Sequence, residues 1–162
     1  MEVLTESDRV VKKRKEIIKK FLATGNHNCA ISNTYGRDWT GFQLKVHADD
    51  GETELCPVWG DCRLQDLAYR YQVTSDGLER EDCAYPLEDA NPFILRDFSR
   101  CILCGKCVRA CNEIQVNNAI TLNHEDHATK VIAGDDKTLK ESDCVFCGEC
   151  IQACPVGALV EK

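Results

Sequence analysis

Eight of the twelve cysteines in this chain of 162 residues fall into two runs with the same spacing. Each run reads C-x₂-C-x₂-C-x₃-C, so three cysteines lie on one short loop and a fourth follows after three further residues. The runs consist of Cys101, Cys104, Cys107 and Cys111, and of Cys144, Cys147, Cys150 and Cys154. Thiolates at this spacing bind [4Fe–4S] clusters, and the sequence therefore predicts two such clusters.

The fourth cysteine of each run is expected to bind the cluster of the other run. In two-cluster bacterial ferredoxins, three closely spaced cysteines hold one cluster, and the last one lies on the following helix and reaches the neighbouring cluster. This rule assigns one cluster to Cys101, Cys104, Cys107 and Cys154, and the other to Cys144, Cys147, Cys150 and Cys111. Gly105 and Gly148 lie inside the two loops, where the missing Cβ would let backbone N–H groups approach the cluster sulfides.

Zinc and disulfides are the alternatives for so many cysteines. Zinc sites favour two separated C-x₂-C pairs over three consecutive cysteines spaced by two residues. Disulfides need an oxidising compartment, whereas Met1–Ala23 is charged and rich in lysine and lacks the apolar segment of an export signal. No stretch approaches the roughly 18 apolar residues of a membrane span. We therefore expect a reduced, cytoplasmic iron–sulfur protein without a transmembrane segment.

A second set of candidate ligands lies upstream of the two runs. Its members are His27, Cys29, Cys56 and Cys62. We expect them to hold a third cluster, a [4Fe–4S] cluster whose neutral imidazole ligand would raise the reduction potential. A His/Cys₃ zinc site or an unligated group of thiols would also fit, and His47 could replace His27. Cys83 has no partner at metal spacing and is interpreted as a structural thiol.

The remaining sequence predicts the elements that position these residues. Apolar periodicity predicts helices at residues 5–23 and 63–72, and residues 74–92 have the composition of a linker. The second cysteine run repeats the first 43 residues later, which indicates two small units related by a pseudo-twofold axis. We predict an α+β fold with a bacterial two-[4Fe–4S] ferredoxin-like domain at residues 92–162. Residues 1–91 are predicted to form a helical and irregular lobe that binds the His/Cys₃ cluster.

The charge and the other motifs exclude several kinds of function. The formal net charge is −7, whereas nucleic-acid binding needs a basic face for phosphate contacts. The chain has neither a glycine-rich dinucleotide turn nor an acid/base pair at suggestive spacing. We therefore predict no catalytic residues and no active site of its own, with the chemistry supplied by the clusters.

Several strings resemble the iron–sulfur segment of one group of oxidoreductases. They are Cys62-Arg-Leu-Gln-Asp-Leu-Ala-Tyr, Asn91-Pro-Phe-Ile-Leu-Arg-Asp, Glu141-Ser-Asp-Cys144-Val-Phe-Cys147-Gly and Cys154-Pro-Val-Gly-Ala-Leu. With the Cys101 run, they resemble an iron–sulfur subunit of complex I, the alpha subunits of NAD-dependent formate dehydrogenases and the electron-transfer subunits of NAD(P)-linked hydrogenases. In that family the pattern H-x₃-C-x₂-C-x₅-C holds the first cluster. Cys56 and Cys62 match its last two cysteines, while an insertion follows Cys29 and His27 lies closer to Cys29 than in the pattern.

The resemblance implies an electron-transfer subunit or domain of a multi-subunit NAD(P)-linked oxidoreductase. Its clusters would relay single electrons between a flavin/NAD(P)-binding subunit or domain and a catalytic centre of a hydrogenase, a formate dehydrogenase or a complex I-like enzyme. Relatives usually carry a [2Fe–2S] domain before this segment, so the chain is either a stand-alone subunit or a fragment. A free diffusible ferredoxin and a redox- or metal-sensing iron–sulfur protein are the alternative functions.

Overall fold

The computed structural model describes residues 4–24, 27, 58, 60–74, 77–79, 85–124 and 129–162. The chain divides into two compact units, Met1–Asp82 and Cys83–Lys162. Residues 85–91 lie in the second unit, where Glu88 and Arg96 exchange two backbone hydrogen bonds of 2.8 and 3.0 Å. The predicted domains, residues 1–91 and residues 92–162, concern which parts of the chain fold independently, and this division stays a prediction.

The described part of the first unit contains the helices α1 (Asp8–Ala23) and α2 (Arg63–Arg70). Ile18 and Leu22, which are one turn apart on α1, are both buried, as is Ala68 of α2. Part of the apolar stripe expected on the first helix therefore packs, because side chains four residues apart share one side of a helix, whereas Ile17 of the same stripe is 52% exposed.

A polar contact also links the two helices of the first unit. Arg14 of α1 donates one hydrogen bond to the carboxylate of Glu6 and one to the hydroxyl of Tyr71, each 2.8 Å long. The second helix ends at Arg70, earlier than the expected residue 72, since Gln72 adopts a left-handed backbone conformation with φ of 52°. A helix does not continue through such a residue.

The described part of the second unit combines short helices with two small antiparallel sheets. The regular elements described there are β1 (Ile94–Arg96), α3 (Lys106–Arg109) with a π-helical continuation (Ala110–Ile114), β2 (Ile120–Asn123), β3 (Lys130–Ala133), α4 (Glu149–Ala153) and β4 (Leu159–Glu161). Two 3₁₀ turns cover Phe98–Arg100 and Leu139–Glu141. The predicted mixed α+β class is therefore confirmed at this level.

One sheet joins parts of the chain that are distant in sequence, and the other joins parts that are close in sequence. Strand β1 pairs with β4, with Arg96 opposite Leu159, so the beginning and the end of the second unit are held together. Strand β2 pairs with its neighbour β3, with Ile120 opposite Ala133. The buried core between these elements consists of aliphatic side chains together with Cys107, Cys111 and Cys150. Candidate ligands thus form part of the core itself.

Pro155 determines where α4 ends. A residue before proline is restricted to extended backbone conformations, and Cys154 has φ of −73° and ψ of 117° at the C-terminal cap of α4. Asn112 occupies the equivalent place in the first run, and there the helix continues as a π-helical turn through Cys111. The expectation that both fourth cysteines lie on a helix is therefore correct for Cys111 and wrong for Cys154.

Within the described part of the chain, no helix combines the length and the apolar character needed to cross a bilayer.

Candidate cluster-binding site

Four thiols of the second unit line one cavity. They are Cys101, Cys104, Cys107 and Cys154. The cavity holds about 580 Å³ of empty space, including its opening to solvent, and Cys150 also reaches its wall. The wall is otherwise mostly apolar, with Ile120, Val131, Leu139 and Leu159 among its residues. The fourth cysteine of the second run, Cys154, therefore lies with the three closely spaced cysteines of the first run.

The electrostatics of Cys107 reflect the same neighbours. Burial raises the pKa of the Cys107 thiol to about 12, and the nearby thiols of Cys101 and Cys154 add to this rise, with a smaller effect of Cys104. The backbone N–H of Val108 opposes the rise by hydrogen bonding to the sulfur. Such a thiol becomes a thiolate only when a positive charge, such as iron, compensates it.

The second group of thiols is arranged in the same manner. Burial raises the pKa of Cys150 to about 11, and Cys144, Cys147 and Cys111 add to this rise. The pKa of Cys144 is also raised by burial, with Cys111 and Cys147 again contributing. Cys111, from the first run, therefore lies among the cysteines of the second run.

The backbone of the two ligand loops repeats along with the sequence. Leu103 and Phe146 both have φ of 55°, and Gly105 and Gly148 have φ of 70° and 81°. Left-handed conformations are uncommon for leucine and phenylalanine, and such strain is typical of sites that the surrounding structure holds in place. Left-handed residues within a tight turn can direct neighbouring backbone N–H groups towards a common point, which favours a negatively charged ligand.

Further backbone N–H groups point at the sulfurs. Ala158 donates to the Sγ atom of Cys154 over 3.3 Å, and the N–H groups of Val108 and Ile151 bond to Cys107 and Cys150. Hydrogen bonds of this kind stabilise negative charge on a cluster and raise its reduction potential. The thiols, the N–H donors and the apolar walls fit a [4Fe–4S] cluster with cysteine ligands.

Among the described residues, no three His, Cys, Asp or Glu side chains lie close enough to hold a single metal ion. In a [4Fe–4S] cluster each cysteine binds a different iron, so its ligands stand further apart than those of one ion.

The upstream candidate ligands are only partly described. His27 and Cys62 are buried, with exposed fractions of 3% and 6%, and Cys62 is the residue at the N-terminal cap of α2. Cys29, Cys56, His47 and Cys83 lie outside the described residues.

The sequence analysis missed one charged residue next to the thiols. Arg96 is buried, lines the cavity of the first thiol set and forms an ion pair with Glu88. The available signal was an arginine that directly follows the apolar residues Ile94 and Leu95 at the end of a short strand. It lay inside the Asn91-Pro-Phe-Ile-Leu-Arg-Asp string, which was used only for family resemblance.

Comparison with known proteins agrees with this site. Residues 100–158 match the family model of the 4Fe–4S dicluster domain. An oxidoreductase-like protein, YjgC of Bacillus subtilis (strain 168), is 33% identical over 103 residues, which cover 64% of this chain and 10% of that protein. A formate dehydrogenase-like protein of Staphylococcus haemolyticus (strain JCSC1435) is 30% identical over 162 residues, which cover 99% of this chain and 14% of that protein.

A solved structure is similar over the same extent. The crystal structure of an NAD⁺-reducing [NiFe]-hydrogenase in the H₂-reduced state has a TM-score of 0.72 and 25% sequence identity, and the match covers 99% of this chain and 58% of that chain. The chain spans 10% and 14% of the two curated relatives, so it corresponds to a small part of each.

The thiol sets and the dicluster match define an iron–sulfur protein. More specifically, the chain is an iron–sulfur electron-transfer domain related to formate dehydrogenase-like proteins and to a chain of NAD⁺-reducing hydrogenase. The family resemblance predicted from the sequence is confirmed.

The burial of the thiols predicts their order of reaction in protein freed of metal. At about pH 8, iodoacetamide should modify the exposed Cys104 and Cys147 at least about tenfold faster than Cys107 and Cys150, because only the thiolate reacts. Burial keeps the latter two protonated by raising their pKa to about 12 and about 11. Peptide mass spectrometry over time measures the four rates, and equal rates would contradict this arrangement of the thiols.

Proposed function

We propose that the chain relays single electrons within a multi-subunit NAD(P)-linked oxidoreductase. The two ends of this relay are a flavin/NAD(P)-binding subunit or domain and a catalytic centre such as that of a hydrogenase or a formate dehydrogenase. The observation that carries the proposal is the exchange of cysteines between the two runs within one small unit. The similarity to an NAD⁺-reducing hydrogenase chain over 99% of this chain supports the choice of partners.

The proposed cofactors of the second unit are two [4Fe–4S] clusters in a bacterial-ferredoxin-like arrangement. Cys101, Cys104, Cys107 and Cys154 would hold one, and Cys144, Cys147, Cys150 and Cys111 the other. When bound, these clusters supply one-electron redox chemistry. The protein contributes apolar walls that limit water, and N–H donors that stabilise the added negative charge.

Each thiol set also reaches the protein surface. Cys104 and Cys147 are exposed, and the neighbouring apolar side chains of Leu103 and Val145 have exposed fractions of 42% and 64%. Exposed apolar side chains next to a redox site suit contact with another protein. This supports electron exchange with partner subunits or domains at both sites. We also propose that the complex is cytoplasmic and does not bind nucleic acid, in keeping with the net charge of −7.

A third cluster is proposed for the first unit, with His27, Cys29, Cys56 and Cys62 as its ligands. The burial of His27 and Cys62 supports this proposal, because buried polar and thiol groups commonly hold a ligand or a structural partner. The match to the hydrogenase chain extends over this region as well.

Chemical analysis tests the proposed clusters directly. Protein purified without oxygen should contain about twelve irons and about twelve sulfides per chain if three clusters are present, and about eight of each if only two are present. Iron and sulfide assays measure the content, and EPR of the reduced protein identifies the cluster type. Colourless protein, or zinc at the cysteines, would contradict the electron-relay function.

Ligand exchange between the runs predicts which cluster each cysteine supports. Cys154→Ser should remove or alter the same EPR signal as Cys104→Ser, whereas Cys111→Ser should act on the same signal as Cys147→Ser. The reason is that the fourth cysteine of each run lies with the thiols of the other run. If Cys154→Ser instead changed the signal that Cys147→Ser changes, the assignment would be wrong.

The ligand role of His27 predicts a change in potential. His27→Cys replaces a neutral imidazole with a thiolate, so the reduction potential of the upstream cluster should fall. An EPR-monitored redox titration measures this potential, with His124→Cys, at an exposed histidine, as the matched control. No change in potential relative to His124→Cys would point to His47 or to a site without a cluster.

A further inference from the structure

A buried ion pair lies beside the thiol sets in the second unit. The guanidinium group of Arg96 donates two hydrogen bonds to Oε2 of Glu88, one of them 3.1 Å long from Nε. The exposed fractions of the two side chains are 5% and 11%. The guanidinium carbon also lies 4.9 Å from the centre of the Phe98 ring. Because the side chain is buried as well, solvent has little access to this charge. Such a pair is screened little by salt.

The pair is oriented with its positive end towards the ligands. Arg96 lines the cavity formed by the first thiol set, whereas Glu88 is not among the lining residues. Cys150 of the second set lines the same cavity, so Arg96 lies near both thiol sets.

Packing alone does not explain an arginine at this position. Leu139 is also buried and lines the same cavity as Arg96. The other oxygen of Glu88 accepts a 2.8 Å hydrogen bond from the backbone N–H of Leu139. The wall of this cavity is otherwise mostly apolar, and an apolar residue usually costs less to bury than an ion pair does.

We propose that the Glu88–Arg96 pair sets the reduction potentials of the clusters in the second unit, with Arg96 raising them and Glu88 partly offsetting this effect. Reduction adds one negative charge to a cluster, and a nearby positive charge in a poorly solvated interior stabilises that added charge. The proposal rests on the proposed function, because it requires clusters bound to these cysteines. Arg96 acts on the clusters through its positive charge and is not a ligand.

Two single substitutions in the full chain test the proposal because they should act in opposite directions. Arg96→Gln should lower the potential of at least one of the two clusters, and Glu88→Gln should raise it. Each shift should correspond to at least about a threefold change in the equilibrium constant for reduction, which is about 30 mV for one electron. The potentials are measured by EPR-monitored redox titration of protein purified without oxygen, and Arg96→Lys, which keeps the charge, should restore most of the native value.

The chain offers a matched control in an exposed pair of the same residue types. Nε of Arg109 lies 2.7 Å from the carboxylate of Glu113, with side chains that are 75% and 63% exposed. Both residues are near the first cysteine run, but solvent screens their charges. Arg109→Gln and Glu113→Gln should therefore each change the equilibrium constant less than threefold, by about 30 mV at most.

The outcomes separate this proposal from the function on which it rests. Opposite shifts that exceed those of the control pair support it, whereas shifts of one sign in both variants, or none beyond the control, overturn it. If Arg96→Gln loses iron, Glu88→Gln decides alone, since a raised potential supports the proposal and an unchanged one overturns it. If the clusters are present but the substitutions do not change their potentials, only this inference is overturned. If the native protein contains no iron, the electron-relay function and this inference are both overturned.

Discussion

The exchange of one cysteine between the two halves is the constraint on which the second unit depends. Cys154 can join the first set only if the end of the unit returns to its beginning, and the pairing of β4 with β1 brings this about. Cys111 can join the second set only if helix α3 continues past Arg109. The π-helical turn provides this continuation. The short sheets and helices therefore serve to bring two sets of four thiols together.

The same constraint links cluster binding to stability. Cys107, Cys111 and Cys150 are part of the buried core, and small domains with few aliphatic residues commonly rely on metal for folding. Buried thiols of raised pKa also lose a proton when they bind iron, so cluster binding and folding affect each other. The chain as a whole is similar to 14% of a formate dehydrogenase-like protein and to 58% of a hydrogenase chain, so it corresponds to a part of longer proteins.

The departures from the repeat are as informative as the repeat itself. Pro155 ends one helix where Asn112 lets the other continue, and this difference gives the fourth cysteines different backbone settings. Arg96 adds a buried charge to a cavity whose wall is otherwise mostly apolar. The repeated spacing of the ligands therefore does not make the surroundings of the two sites identical.

The spacing of the cysteines and the periodicity of apolar residues were enough to predict the cluster class, the mixed fold class and the first helix, and the resemblance of several strings indicated the family. Even the grouping of Cys154 with the first run followed from a known spacing rule. The folded chain was needed to show that Glu88 and Arg96 form a buried pair near both thiol sets and that Cys154 lies at the end of its helix. The burial and the pairing of Glu88 and Arg96 depend on chain segments that meet only after folding, and no spacing rule of the kind that applies to the cysteines indicates this contact.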